Sequence, residues 1–480
     1  MSIEGLNEER IRRLVADLVA AYAKDTPEER RVELEKPGGN LGIFGDMESA
    51  VLAAGEAQRR LAGQPLETRR KIVAAMRSAA ERHAADFAER AVAESGRGRA
   101  DDKTAKNLLA AHKTPGVEDI ETAAYSDEHG LAITERAPYG VIGSIIPVTN
   151  PAATVINNGI SMVAGGNAVV FNPHPGAKRV SCHAIQVLNG AIVAAGGPAN
   201  LLCALAEPTI RSAGELMAHP KVALLVVTGG PAVVRSAMLS GKKVIAAGPG
   251  NPPCVVDETA HVGKAARDIV AGASFDNNMV CICEKEILVV SSVADRLVAE
   301  LQKNGAYLLD GAQAEKLKAI VVERAGKPGD EGAIRKEYVG KGAPELAGLV
   351  GVTVSASTRL LIFEAEASDA MVWTEQLMPF LPVVRMANVE QCVDLAVACE
   401  HGFRHSAMMH SMDVGHMTMM ARAMNCSLFV KNGPCVAGLG YGGAGYTSLT
   451  IASPTGEGIT RARNFTRERR CSLVDYFRIV

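Results

Sequence analysis

Between residues 141 and 246 the chain repeats one pattern: a short run of β-prone apolar residues, then a break rich in Gly and Pro, then a segment long enough for a helix. The runs fall at 141–146, 168–171, 201–205, 222–227 and 243–246. Strand–helix–strand units at this spacing predict a parallel sheet covered on both faces. Such sheets take ligands at the carboxyl ends of their strands. Here those ends carry Pro147-Val148-Thr149-Asn150-Pro151, Asn172-Pro173-His174-Pro175, Glu207-Pro208, Thr228-Gly229-Gly230 and Gly248-Pro249-Gly250-Asn251. Gly and Pro at consecutive strand ends let a flat ligand approach the backbone closely. A nucleotide cofactor is therefore the leading ligand, and a purely structural set of turns the alternative.

Elsewhere the periodicity changes. Ile11, Leu14, Val15, Leu18, Val19 and Tyr22 form a narrow helical stripe, followed by a polar stretch, 24–40, punctuated by Pro and Gly. That helix either docks on its own domain or is a detachable amphipathic element for a partner's groove. Residues 46–111 read as Ala-rich helices, and 124–140, with Gly130 inside it, as a hairpin. A second α/β region follows residue 281, with helices over 293–305 and 313–325 and a strand over 383–386. Alternation in 476–480 predicts pairing at a sheet edge or across a subunit boundary.

A chain of 480 residues exceeds one hydrophobic core, so two or three domains are expected. A net charge of −2 offers no electrostatic reason for a nucleic-acid or anionic-membrane partner. No apolar run reaches the roughly 20 residues of a membrane span. Ten cysteines are scattered without the density of a disulfide scaffold, which fits reduced thiols in a cytoplasmic compartment.

Among those cysteines, Cys281 stands out. It closes the polar segment Asp276-Asn277-Asn278 and precedes the charged triplet Glu284-Lys285-Glu286 and a strand-like run, 287–290. A thiol where a loop meets a rigid element is well placed as a nucleophile, and even an unperturbed one, with a pKa of about 8.5, is partly ionised near neutrality. Cys281 and Cys283 lack a second Cys/His pair at zinc-site spacing, so no metal is assigned. His405, His410 and His416, five and six apart, do not stack on one helical face and read as structural or surface residues. Gly440-Tyr-Gly442-Gly443-Ala-Gly445 matches G-x-G-x-x-G formally, but the following segment, with Pro454 and two glycines, cannot open the helix that a dinucleotide fingerprint needs.

Taken together, FDNNMVCICEKE, IIPVTNP, FNPHPGAK, TGGPAVV, AAGPGNPP, EQLMPFLPVV and GLGYGGAGYTSLTIASPTGEG resemble the aldehyde dehydrogenase superfamily, in its order and spacing, from about residue 42 to the C-terminus. Within it they are most similar to the coenzyme-A-acylating propionaldehyde and acetaldehyde dehydrogenases of bacterial microcompartments. The resemblance implies an α/β fold of the aldehyde dehydrogenase type: a Rossmann-type cofactor domain over 41–120 and 137–245, an α/β catalytic domain over 246–440, and a β oligomerisation flap and tail over 121–136 and 455–480. It implies Cys281 as the nucleophile that forms a thiohemiacetal and then a thioester. Asn150 matches the asparagine that joins the Cys281 backbone N–H in holding the oxyanion. The matched cofactor positions are Ile146, Pro147, Thr149, Asn172, Pro173, His174, Pro208, Thr228, Gly229, Gly230, Val233, Gly248, Glu375 and Leu377, with Glu375 on the nicotinamide ribose. The implied reaction consumes a short-chain aldehyde (propionaldehyde favoured, or acetaldehyde) with NAD and coenzyme A. A hydrolytic enzyme making a free acid is the alternative.

Two departures from the hydrolytic branch bear on that choice. Ala246 stands where that branch has the glutamate that activates water. Water, with a pKa near 15.7, needs a base far more than a thiol at about 8.5 does, so thiolysis by coenzyme A is favoured. Asn172 replaces a lysine that contacts the adenosine ribose, which leaves NADP open; the nearest cations in sequence are Lys178 and Arg179, and NAD is preferred. Cys283 reads as packing, and Cys435 is given no catalytic role. The resemblance also implies a dimer or tetramer, and a targeting role for residues 1–24 on the linker 25–40, with the 11–22 stripe meeting a shell protein in a microcompartment lumen.

Overall fold

The structure is a computed structural model that describes residues 41–476 and 479; the 11–22 stripe and its linker lie outside the described residues. The repeating region folds as a six-stranded parallel sheet in the order Ile43–Phe44, Leu202–Leu205, Ala168–Pro173, Val141–Ile146, Val222–Thr228, Lys243–Ala247. Val141–Ile146 and Ala168–Pro173 are buried at every position, as their largely apolar character predicts, with Ser144 and Asn172 buried among them. The helix Pro151–Ala164 is buried along its whole length. It packs among the helices Leu66–Arg82, Ala100–Lys113 and Lys178–Ala194, so its N-terminus at Asn150 is a rigid platform.

The chain passes from Lys243–Ala247 through 248–252 directly into a second sheet. That sheet is seven-stranded, in the order Ala306–Leu308, Leu360–Ala365, Phe380–Met386, Glu286–Val290, Pro253–Val256, Ser406–His410, Leu428–Lys431, and again parallel throughout. The crossing 248–252 brings the two sheets together beside Cys281. A three-stranded antiparallel sheet projects from the body. Its strands are Ala123–Asp127, Gly130–Pro138 and Thr466–Val474, with Thr466 opposite Pro138 and Val474 opposite Gly130. Gly130 is needed there: its φ is +128°, and a Cβ would lie 2.1 Å from the Leu473 carbonyl oxygen.

Several expectations shift. The described strand near the C-terminus is Thr466–Val474, and Tyr476 sits in a turn beyond it, almost fully exposed; of the 476–480 stretch expected to pair, residues 477, 478 and 480 lie outside the described residues. The helix expected over 313–325 spans Gly311–Val321, because Val322–Arg324 leaves it to pair with Ala333–Ile334. The charged triplet Glu284-Lys285-Glu286 is wholly buried. Glu286 opens a central strand flanked on both sides, so no position along it faces water.

Candidate active site

The segment after the helix Val262–Ala273 is a tight turn, Phe275–Asn278, in which Asp276, Asn277 and Asn278 adopt φ of 49°, 55° and 64°. Asn and Asp are the non-glycine residues that best tolerate this left-handed region. Each is also anchored. Asp276 accepts from the Arg99 N–H at 2.7 Å, and its own N–H donates to Asp102 Oδ2 at 2.9 Å. Asn277 Nδ2 donates to the Gly340 carbonyl at 2.9 Å; Asn278 Nδ2 donates to the carbonyls of Ala273 at 2.8 Å and Glu284 at 2.9 Å. Lys285 Nζ donates to both Asn278 oxygens. A turn with so many tethers stays in an unusual backbone conformation without slack.

Cys281 emerges from this turn half-buried, with its carbonyl against Gly250 of the inter-sheet crossing. A Cβ on Gly250 would lie 2.9 Å from the Cys281 oxygen and 3.0 Å from the His405 ring, so only glycine lets these three meet. Burial pushes the Cys281 thiol up to about 12, the Glu375 carboxylate adds to the rise, and Lys285 opposes it. Glu375, half-buried, accepts from the Gly250 N–H and is itself raised to about 7, chiefly by burial. Cys283 does not share the Cys281 face: its N–H donates to the Val280 carbonyl at 2.9 Å, so the segment is a turn, not an extended strand. It is fully buried beside Cys435.

Asn150 faces the same junction. Its Oδ1 accepts from Lys106 Nζ at 2.6 Å. Lys106 also pairs with Asp276, as does Lys103 at 2.9 Å. All three charged groups are buried. Burial and the neighbouring Lys106 pull Lys103 down to about 8, against the attraction of Asp276. Leu109, Phe275, Val280, Leu439, Tyr441 and Leu449 line a small apolar pocket beside the turn, and Lys106 completes its wall.

Most of the other expected positions lie at the rim of the first sheet, with Gly248 in the inter-sheet crossing and Leu377 ahead of the second-sheet strand Phe380–Met386. Thr228 ends its strand, and the helix Pro231–Met238 starts at Gly230 with no side-chain cap. Open space surrounds Gly230, while a Cβ on Gly229 would lie 2.8 Å from Val233 Cγ1. Free N–H groups at an uncapped helix start, reached over glycine, fit a pyrophosphate. Ile146, Pro147 and Thr149 run into Asn150 at the neighbouring strand end. Asn172 is buried and accepts from Ser212 Oγ at 2.6 Å, so its side chain is already engaged. His174 Nδ1 accepts from the Gly176 N–H at 3.0 Å, and burial lowers its pKa to about 4. Pro173 and Pro208 are buried beside them. Gly248 packs against Pro454. Leu377 has φ +49°, and its carbonyl accepts from the Gly340 N–H at 2.9 Å.

Lys103 and Lys106 enter the site unannounced by any motif, and Asp276 and His405, read from the sequence as a turn residue and a structural or surface residue, join them there. A signal existed for the lysines. Lys103, Lys106, Asn107, Ala110 and Ala111 are the buried residues of Ala100–Lys113, at helical spacing, so two lysines sit on an otherwise inward stripe. His405 Nδ1 bonds Ser406 Oγ at 3.0 Å, while its Nε2 is buried without a hydrogen-bond partner. Burial holds its pKa at about 4, so the ring is neutral near pH 7. His416 instead pairs with the buried Asp257 at 2.8 Å. Gly440–Gly445 is irregular and is followed by no helix; its carbonyls at Gly440 and Gly443 accept from Lys113 Nζ at 2.6 and 2.9 Å.

Two parallel sheets joined at a rigidly held cysteine, with a glycine-lined strand-end rim, define an α/β enzyme of the dinucleotide-binding type. The chain belongs to the aldehyde dehydrogenase family, whose profile matches residues 44–453. It is 51% identical over 441 residues (92% of this chain, 94% of the relative) to the acetylating acetaldehyde dehydrogenase EutE of Salmonella typhimurium. It is similar in structure to a propionaldehyde dehydrogenase of Rhodopseudomonas palustris solved with bound CoA and an acylated cysteine: TM-score 0.88, 44% identity, 91% of this chain and 99% of that one. A propionaldehyde dehydrogenase from the Clostridium phytofermentans fucose-utilisation microcompartment matches with TM-score 0.89 and 44% identity over 92% and 100% of the two chains.

Proposed function

We propose that the protein oxidises a short-chain aldehyde to its acyl-CoA: aldehyde + CoA + NAD⁺ ⇌ acyl-CoA + NADH + H⁺. The carrying observation is Cys281, braced in its turn, in a chain so similar to a relative captured with CoA and an acylated cysteine. Cys281 Sγ attacks the aldehyde carbon and its proton leaves to solvent, while Asn150 Nδ2 and the Cys281 N–H hold the oxygen as it becomes an oxyanion. Donors of this kind are worth about 2.7–4 kcal/mol of barrier each. The nicotinamide, when bound, supplies the hydride acceptor. Glu375 orients its ribose, and the uncapped N–H groups after Gly229-Gly230 hold the pyrophosphate. The resulting Cys281 thioester passes its acyl group to the CoA sulfur, which frees the Cys281 thiol.

Ala246 is fully buried and its N–H donates to Thr455 Oγ1 at 3.0 Å, so the position that serves hydrolysis in other branches presents only a methyl. The apolar pocket lined by Leu109, Phe275 and Leu449 takes the alkyl chain, with propionaldehyde the preferred substrate. NAD is preferred to NADP because Lys178 is paired with Glu207, and Arg179 with Glu94 at 3.7 Å, which leaves neither free for a 2′-phosphate. The exposed strand Thr466–Val474 makes a dimer or tetramer through the projecting sheet. Residues 1–24 address the enzyme to a microcompartment shell. No helix among the described residues is long and apolar enough to cross a membrane.

NADH formation measured with and without CoA, across C2–C6 aldehydes and with NAD or NADP, tests the reading. Turnover that needs CoA is expected; equal rates without it would defeat the acylating assignment. Removing residues 1–24 is expected to leave turnover intact and to abolish co-purification with shells.

A further inference from the structure

We propose that Lys106 is a positioning residue that aims the Asn150 amide and ties it to the Cys281 turn. The inference rests on the oxyanion role proposed for Asn150. Asparagine at a helix start ordinarily folds its side chain onto its own helix's free N–H groups. Asn150 does not: the helix Pro151–Ala164 has no side-chain cap, and Asn150 Oδ1 is taken by Lys106 Nζ at 2.6 Å. A side-chain amide has one accepting and one donating end, so an ammonium on Oδ1 turns Nδ2 the other way. There its contact is a long one, 3.2 Å to Thr149 Oγ1.

The same ammonium bonds Asp276, the first left-handed residue of the turn that presents Cys281. One nitrogen therefore joins the oxyanion donor to the nucleophile loop, from a residue only 4% exposed. Lys103, bonded to Asp276 at 2.9 Å and to the Thr149 carbonyl at 3.2 Å, braces the arrangement from the same helix. Because Lys103 keeps Asp276 paired, Lys106→Met leaves no orphaned carboxylate and is expected to fold.

The test uses the full-length enzyme and a double-mutant cycle of Lys106→Met and Asn150→Ala, read as kcat and KM for NADH formation. Each single variant is expected to lose about 10²–10³ in kcat, with KM for NAD within about twofold. The double variant is expected to be no slower than Asn150→Ala alone, since residues acting as a unit are not additive. Effects that multiply, or a near-normal kcat for Lys106→Met, would overturn the proposal. If Asn150→Ala itself keeps its kcat, the oxyanion reading falls instead. Alkylation of Cys281 by iodoacetamide forms a bond to a saturated carbon and needs no oxyanion donor. Its rate in Lys106→Met is expected to stay within about twofold of the parent; a collapse would mean that Lys106 merely props up the turn. Where Lys106→Met fails to fold, Lys106→Gln carries the same readouts.

Discussion

The rim of the first sheet offers a ligand mostly backbone, whereas the Cys281 junction is held by side chains whose charges are buried. At Thr228-Gly229-Gly230 the helix start is uncapped and Gly230 has open space around it. At the junction Asp276, Lys103 and Lys106 are all buried, and Asn277, Asn278 and Lys285 each reach across to another segment. In the reaction proposed above, the difference follows from the task. A cofactor that comes and goes needs donors that are free until it arrives. A reacting sulfur and its oxyanion donors must stay in register through bond making, and reorganisation there would cost rate.

The contrast can be broken most severely at the sulfur. Cys281→Ala is expected to reduce NADH formation by about 10⁴-fold or more with little change in melting temperature, because the turn's tethers do not involve Sγ; steady-state assays and thermal unfolding check both. Next is the buried charge. Asp276→Ala strands two lysines and is expected to cost about 3–5 kcal/mol of stability, read by denaturant unfolding. A loss under about 1 kcal/mol would mean water reaches the cluster.

The rim should answer in the opposite way. Gly230 has extended backbone and free space, so Gly230→Asp fits without strain and caps the helix. Stability is expected to hold or rise slightly, while like charge against the pyrophosphate raises KM for NAD by about tenfold or more. Unchanged NAD affinity would remove the pyrophosphate from that helix. The smallest effect concerns protonation. A thiol raised to about 12 holds less thiolate at any given pH than an ordinary one. Cofactor-free alkylation of Cys281 should therefore climb about tenfold per pH unit from about pH 7 to 10 without levelling near 8.5. Glu375→Gln removes the charge that adds to this rise and is expected to speed alkylation severalfold at pH 8.

Much of this was legible from local pattern. The strands 141–146, 168–171 and 222–227 announced themselves because both faces of a parallel sheet are covered, and Cys281 stood out because polar turn-formers precede it. Cys283, read as packing, is fully buried; a two-residue offset from Cys281 would share its face only in extended chain, and 280–283 is a turn.

By itself, then, the amino-acid sequence determined the strand–helix repeat, the glycine-lined strand ends and the cysteine in its polar turn. These are properties of neighbouring residues, and apolar period and turn chemistry report them directly. Only the tertiary structure decided that Glu284, Lys285 and Glu286 are inside the protein, and what meets Lys103 and Lys106 there. A charged residue is buried when a partner meets it, and the partner of Lys106 lies 170 positions away in Asp276, where no local pattern can reach.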